Sequence, residues 1–224
     1  MNGSETTIVF TRPAACVGSI SGIVTVPRDH DPEKEKLPVI VFLHGAGERA
    51  DGTEAGVFRV CVHGVPKYFS RDAEYLGLRA VTVSPQCPDG LIWDQITLQL
   101  MAYLEESVLT FGGDPTRVAL TGLSMGGFGT WNLLTTYPEK FCRAAPICGG
   151  GVPWRVDGRL KGKKIRVFHS VDDMSVPYMC SVLMVERAQA FGADVEFTTY
   201  CGEGHGCWDR AYEQTDLIPW LVNG

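Results

Sequence analysis

Where an apolar run at residues 118–121 passes into a stretch that reads as a helix over residues 124–136, the chain reads Gly122-Leu-Ser124-Met-Gly126. A chain that passes from strand to helix in so few residues turns sharply, and side chains beside the central residue of such a turn collide. Glycines at both flanks remove the collision. The Ser124 hydroxyl then stands at the carboxyl end of a strand and the amino end of a helix. Free N–H groups and the helix dipole favour negative charge there. Strand feeding directly into helix implies a layered α/β architecture. The same residues also fit a plain glycine-rich turn with Ser124 as helix N-cap, so the rest of the chain must decide.

Further apolar, β-rich runs occur at residues 19–26, 39–43, 80–84, 144–148, 165–169 and 195–200. Several are continuous, Val39-Ile-Val-Phe-Leu43 most clearly, and continuous runs belong to strands buried on both faces of a parallel sheet. Helical patterns lie between them. Residues 94–111 place Ile96, Leu100, Tyr103, Leu104 and Val108 on one face and stop at Gly112-Gly113-Asp114-Pro115. Residues 124–136 end at Tyr137-Pro138, residues 176–191 end at Gly192, and residues 209–222 form the last helix. The alternation predicts a doubly wound, mostly parallel sheet in one α/β domain over residues 1–224. Residues 28–36 are too polar for a crossover helix, so an antiparallel hairpin is expected at the N-terminal edge of the sheet.

With 45% hydrophobic and 21% charged residues, the 224-residue chain can bury a core without metal or disulfide. A net charge of −6 and the lack of a basic stripe argue against a nucleic-acid partner. The richest basic stretch, residues 155–166, reads as a solvated loop. No apolar run approaches the roughly 18 residues of a membrane span. Residues 1–7 carry no leader pattern and the eight cysteines form no CxxC pair, so reduced thiols and a cytoplasmic location are expected.

A serine hydroxyl is a weak nucleophile at neutral pH and needs a base oriented by an acid. In strand–turn–helix sites of this kind the order along the chain is serine, acid, histidine. Only His169 and His205 follow Ser124. His205 lies in the flexible run Gly202-Glu-Gly-His205-Gly206, from which it can reach across the top of the sheet, whereas His169 ends a strand. The acid is sought in the turn after residues 165–169, where Asp173 is preferred and Asp172 is read as a solvated turn residue. The N–H groups of Met125 and of Ala46, in Leu43-His44-Gly45-Ala46-Gly47, are the expected oxyanion donors, with His44 bonding that loop. The set needs neither metal nor organic cofactor.

Six pieces carry a family resemblance: Phe42-Leu-His-Gly-Ala-Gly-Glu-Arg49, Ser84-Pro-Gln-Cys-Pro88, Leu120-Thr-Gly-Leu-Ser-Met-Gly-Gly127, Pro146-Ile-Cys-Gly149, residues 169–177, and Gly204-His-Gly-Cys-Trp208. The chain resembles the small α/β-hydrolase esterases grouped with phospholipase/carboxylesterase, feruloyl esterase and polyhydroxybutyrate-depolymerase-like proteins. It is also similar to the catalytic domain of prolyl-oligopeptidase-type peptidases. The resemblance implies the α/β-hydrolase fold and serine carboxylesterase activity. It supports Asp173, which has His169 four residues before it and Pro177 four after, although Ser170 stands where the family usually has glycine. It also implies that Trp93 and Trp208 lie near the cleft as substrate contacts. About 16 residues separate the runs at 144–148 and 165–169, too few for a large cap, and residues 48–75 are expected to roof the cleft in part. An open cleft suits a small-molecule or carbohydrate-linked ester, such as acetyl or feruloyl groups on plant polysaccharide. The alternatives are a serine peptidase of prolyl-oligopeptidase type and a non-catalytic binding module on a hydrolase scaffold.

Overall fold

The computed structural model describes residues 6–223; the expectation of a missing leader rests partly on residues outside that range. Eight strands form one sheet: β1 (Thr7–Ala14), β2 (Gly18–Thr25), β3 (Leu37–Leu43), β4 (Val81–Pro85), β5 (Gly113–Leu123), β6 (Arg143–Ile147), β7 (Lys164–Ser170) and β8 (Asp194–Tyr200). Their order across the sheet is β1-β2-β4-β3-β5-β6-β7-β8. From β4 to β8 all neighbours are parallel, while β1–β2 and β2–β4 are antiparallel. The connectivity is that of the doubly wound α/β-hydrolase fold, with an antiparallel N-terminal edge.

Six α-helices cover the sheet: α1 (Gly64–Phe69), α2 (Thr97–Thr110), α3 (Met125–Thr136), α4 (Met179–Ala190), α5 (Trp208–Glu213) and α6 (Leu217–Asn223). The continuous run of β3 shows why both faces must be covered. Val39, Val41 and Leu43 join a core with Leu100, Leu104, Trp131 and Met184 of α2, α3 and α4. Ile40 and Phe42 point the other way, into a core with Phe69, Tyr212, Leu217 and Leu221 of α1, α5 and α6. Strand periodicity of two splits one apolar run between two cores.

Three details depart from the sequence reading. Residues 19–26 do not begin the sheet, because β1 precedes them and supplies the hairpin partner. β1 is half exposed and carries Pro13, which an edge strand tolerates, so its apolar signal is weak. The charged residues after Pro27 lead instead to β3, which β4 separates from β2. The expected helix over 209–222 is two helices: the Thr215 hydroxyl accepts from Leu217 N–H at 3.1 Å, starting α6 afresh, with Pro219 in its first turn. The basic stretch is largely exposed, as expected, but three of its side chains also tie the loop down. Arg155 donates to Asn132, Arg159 to the Thr135 carbonyl, and Lys163 to the Phe141 carbonyl.

The link between β6 and β7 contains only short 3-10 turns, Pro153–Arg155 and Gly158–Leu160, and no cap. Among the described residues, no helix is long and apolar enough to cross a membrane.

Candidate active site

Ser124 sits between β5 and α3 with φ 53° and ψ −119°, a conformation that side-chain-bearing residues adopt only when their surroundings enforce it. Its N–H donates to the Ile147 carbonyl of β6 at 2.9 Å. A methyl group at Gly122 would collide with the Gly126 carbonyl oxygen, and one at Gly127 would meet the Ile147 oxygen at 2.5 Å. The glycines therefore let the helix press onto the strand ends and hold the serine upright.

Three loops at the carboxyl ends of β5, β7 and β8 bring the predicted residues together. His205 Nε2 lies 2.8 Å from Ser124 Oγ, and His205 Nδ1 lies 2.7 Å from Asp173 Oδ2. The remaining carboxylate oxygen of Asp173 accepts from the Ser175 and Val176 amides at 2.8 and 2.9 Å. Burial is the largest single influence on Asp173 and opposes its charge. The hydrogen bonds from His205 and the two amides together outweigh it and hold the carboxyl below the usual range. Asp172 does more than the solvated turn residue expected of it. It accepts from the Ser170 hydroxyl and from Gly202 N–H, the latter at 3.0 Å, and so ties the acid turn to the histidine loop. The hydroxyl on Ser170, where glycine is usual in the resembling family, serves that link.

The loop expected to supply an oxyanion donor follows β3. A methyl at Gly45 would lie 3.8 Å from Ser124 Cβ, which puts the loop beside the nucleophile. Among the described residues, neither Ala46 N–H nor Met125 N–H donates to a protein acceptor. Met125 opens α3, where amides have no intrahelical partner. His44 bonds the loop, as its position suggested. Its Nδ1–H donates to the Gly45 carbonyl at 2.6 Å, and its Nε2 accepts from Cys87 N–H at 2.9 Å.

Trp93 does not line the cleft. It is 1% exposed, its indole N–H donates to the His44 carbonyl at 3.1 Å, and its side chain fills the space left by Gly129. It buttresses the oxyanion loop from behind. Trp208 is half-buried with its ring 5.3 Å from that of His205, and His63 stacks edge-on against its other side at 5.4 Å. Of residues 48–75, expected as a partial roof, His63 is what reaches this ring; the 3-10 turn Ala55–Cys61 packs on β2, and α1 packs on β3, β4 and α5. Two exposed side chains that the sequence reading does not single out lie in the connecting segments: Trp154 (81% exposed) in the β6–β7 link and Met174 (94%) next to Asp173 in the chain. Nothing in their sequence setting marks them, because exposure depends on loop path. An apolar groove of about 290 Å³, lined by Met101, Leu104, Val108 and Phe141, opens near Pro115, at the opposite end of β5 from Ser124.

Among the described residues, Cys148, Asp173 and His205 are a group of metal-ligating types, with one atom of each within 4.8 Å of the others. Two of them already bond each other beside Ser124, so this group is the same site rather than a separate metal centre.

A serine raised on a strained turn and bonded to an imidazole that is bonded to a carboxylate, on this sheet, defines a hydrolase-type α/β site. The model of the family described as Esterase matches residues 15–174, and the chain belongs to that family. The chain is similar to poly(3-hydroxyalkanoate) depolymerase C of Paucimonas lemoignei, 57% identical over 119 residues that make up 50% of this chain and 28% of that protein. It is also similar to a chlorogenic acid esterase of Aspergillus niger, 30% identical over 129 residues, 56% of this chain and 25% of that one. The matched segments thus span little more than a quarter of these relatives. A crystal structure of a thermostable esterase superposes with a TM-score of 0.80 at 32% identity, covering 96% of this chain and 62% of the other.

His44 makes the site acid-labile in a predictable way. Burial, against the opposing Gly45 carbonyl and with Arg49 and Arg59 nearby, pushes its pKa from 6.5 down to about 4. A proton on Nε2 would also break the bond from Cys87 N–H. The unfolded chain takes up that proton at the higher pH. This contribution to stability is therefore complete above about pH 6.5 and declines as pH falls toward 4, by on the order of 3 kcal/mol in all. Urea melts at pH 7.5, 5.5 and 4.0 should show the decline in wild type and a shallower one in His44→Gln. Parallel profiles for the two proteins would contradict it.

Proposed function

We propose that this chain is a serine carboxylesterase that hydrolyses carboxylic esters through an acyl-enzyme. The observation that carries the reading is the unbroken line from Asp173 Oδ2 through His205 to Ser124 Oγ, with contacts of 2.7 and 2.8 Å. His205 takes the hydroxyl proton as Ser124 attacks the ester carbonyl. The carbonyl oxygen becomes an oxyanion held by the Met125 and Ala46 amides. His205 then protonates the leaving alcohol, and water, activated by the same imidazole, releases the acid. Asp173 keeps Nδ1 protonated so that Nε2 faces the serine as acceptor.

The substrate is an ester with a bulky or aromatic part, such as an acetyl or feruloyl group on a larger carbohydrate. Support comes from the short β6–β7 link, which leaves the cleft uncapped, and from Trp208, whose ring lies 5.3 Å from that of His205. A chlorogenic acid esterase and a poly(3-hydroxyalkanoate) depolymerase among the relatives agree with an ester carried on a large partner.

A panel of p-nitrophenyl acetate, butyrate and laurate, methyl ferulate and an aminoacyl anilide tests the assignment. Acetate and ferulate should each exceed laurate in kcat/KM by about tenfold or more, since a shallow open site gains little from a long chain. Anilide turnover above ester turnover would move the assignment to a peptidase.

A further inference from the structure

The mechanism leaves one fully buried imidazole unused. His169, at the end of β7, has no exposed side-chain surface, and neither has Asp173. Its Nε2 lies 3.2 Å from Asp173 Oδ2 and 3.0 Å from the Val176 carbonyl. Both are acceptors, so Nε2 must carry a proton. Its Nδ1 lies 2.7 Å from Ser181 Oγ in the first turn of α4, and that hydroxyl is also 2.9 Å from the Gly149 carbonyl. Burial lowers the pKa of His169, so the neutral ring is favoured. In the neutral ring with Nε2–H, Nδ1 is an acceptor facing the Ser181 hydroxyl, whose single proton is shared between Nδ1 and the Gly149 carbonyl. His169 thus turns its Nε2–H toward the Val176 carbonyl at 3.0 Å, with Asp173 Oδ2 beside it at 3.2 Å.

Asp173 Oδ2 is also the atom that receives His205 Nδ1–H. One carboxylate oxygen therefore serves two imidazoles, while the other is held by two backbone amides. The amides fix where the carboxylate sits. The second imidazole sets how much of its charge is left for His205. Tyr178, edge-on to His169 at 5.8 Å, Cys148, close to Asp173 and His205, Cys207 beside Cys148, and Asp172, which bonds Gly202 of the histidine loop, are further titratable groups around the pair.

We propose that His169 is a positioning residue of this site: its Nε2–H, shared with the Val176 carbonyl, is a second donor to the carboxylate oxygen that orients the base, with Ser181 against its other nitrogen. The proposal rests on Ser124, His205 and Asp173 being the reacting set. Without His169 the full charge of Oδ2 falls on His205. The imidazolium form of the base is then favoured, and a higher pH is needed to free it.

The test compares His169→Leu, which removes the donor, with His169→Gln, whose amide N–H₂ keeps a donor near the Nε2 position. Leucine should lower kcat about tenfold at unchanged KM, the scale of one lost hydrogen bond to a charged group. It should also move the acid limb of the kcat/KM profile upward by about half a pH unit. The downfield proton resonance of the His205–Asp173 hydrogen bond should move further downfield. Glutamine should stay within about threefold of wild type, with the limb unmoved. Should the leucine protein not fold, Ser181→Ala weakens the same donor and should move the limb and resonance the same way by less. Equal losses in the leucine and glutamine proteins with limb and resonance unmoved would reduce His169 to packing and overturn the proposal, as would a leucine protein indistinguishable from wild type. If the wild type turns over no ester, the functional reading fails by itself. The proton resonance needs no substrate and still decides whether His169 acts on the pair.

Discussion

Ser124→Ala is expected to lower kcat on an activated ester by about 10⁴-fold or more while leaving the melting temperature near that of wild type. The serine Oγ, 2.8 Å from His205 Nε2, is the atom proposed to form the acyl-enzyme, and its loss leaves the Ala46 and Met125 amides with no covalent intermediate to stabilise. His205→Ala should cost a similar factor, because Oγ at 2.8 Å then has no base. The double variant should be no worse than the poorer single one, since the two act as a unit. Asp173→Asn keeps the shape but offers an amide where His205 Nδ1–H needs a carboxylate, and a loss of about 10³-fold or more is expected. A fluorophosphonate probe should label wild type and fail on Ser124→Ala. Full labelling of the alanine protein would place the nucleophile elsewhere and undo the assignment.

Much of this site can be read from sequence because its parts are local. Gly122, Ser124 and Gly126 declare a bend by their own spacing, and the run at 39–43 declares a buried strand by its own composition. The order serine, acid, histidine then restricts the partners to a few positions. Contacts made by loops that meet only in three dimensions leave no such trace. Asp172 looks like the spare member of an adjacent pair, yet its bond to Gly202 helps to bring the histidine loop to the acid turn. Likewise His169 reads as a strand-end residue four before the acid, and nothing near it in sequence points to Ser181 against its other nitrogen. Trp93 shows the opposite error. The family resemblance implied substrate contact, but the indole packs inward into the space that Gly129 leaves open. β1 escapes the apolar pattern for an energetic reason: an edge strand needs only one apolar face, so exposed Val9 and Pro13 cost it little.

Gly126→Ala should be the most destabilising single-methyl change near the site. The added carbon would overlap the Leu43 carbonyl oxygen and lie 2.5 Å from the Leu43 carbonyl carbon and 2.8 Å from the His44 oxygen. All three are backbone atoms at the end of β3, so no side chain can rotate away to make room. Either α3 lifts from the sheet or β3 and the oxyanion loop move outward. The first exposes a helix whose buried residues include Trp131, Leu133 and Leu134; the second displaces the Ala46 amide from the nucleophile. A loss of about 3–5 kcal/mol is expected, which for a domain of this size lowers the melting midpoint by roughly 10 °C or more. Gly158→Ala is the matched control: nothing lies within 4 Å of its added carbon, and its midpoint should stay within about 2 °C of wild type. Any Gly126→Ala protein that does fold should lose kcat beyond what its stability explains, because the same backbone that blocks the methyl leads into the oxyanion loop. Equal midpoints for the two variants would mean that strand and helix are not in the contact that raises Ser124, and the geometry assigned to the nucleophile would have to be redrawn.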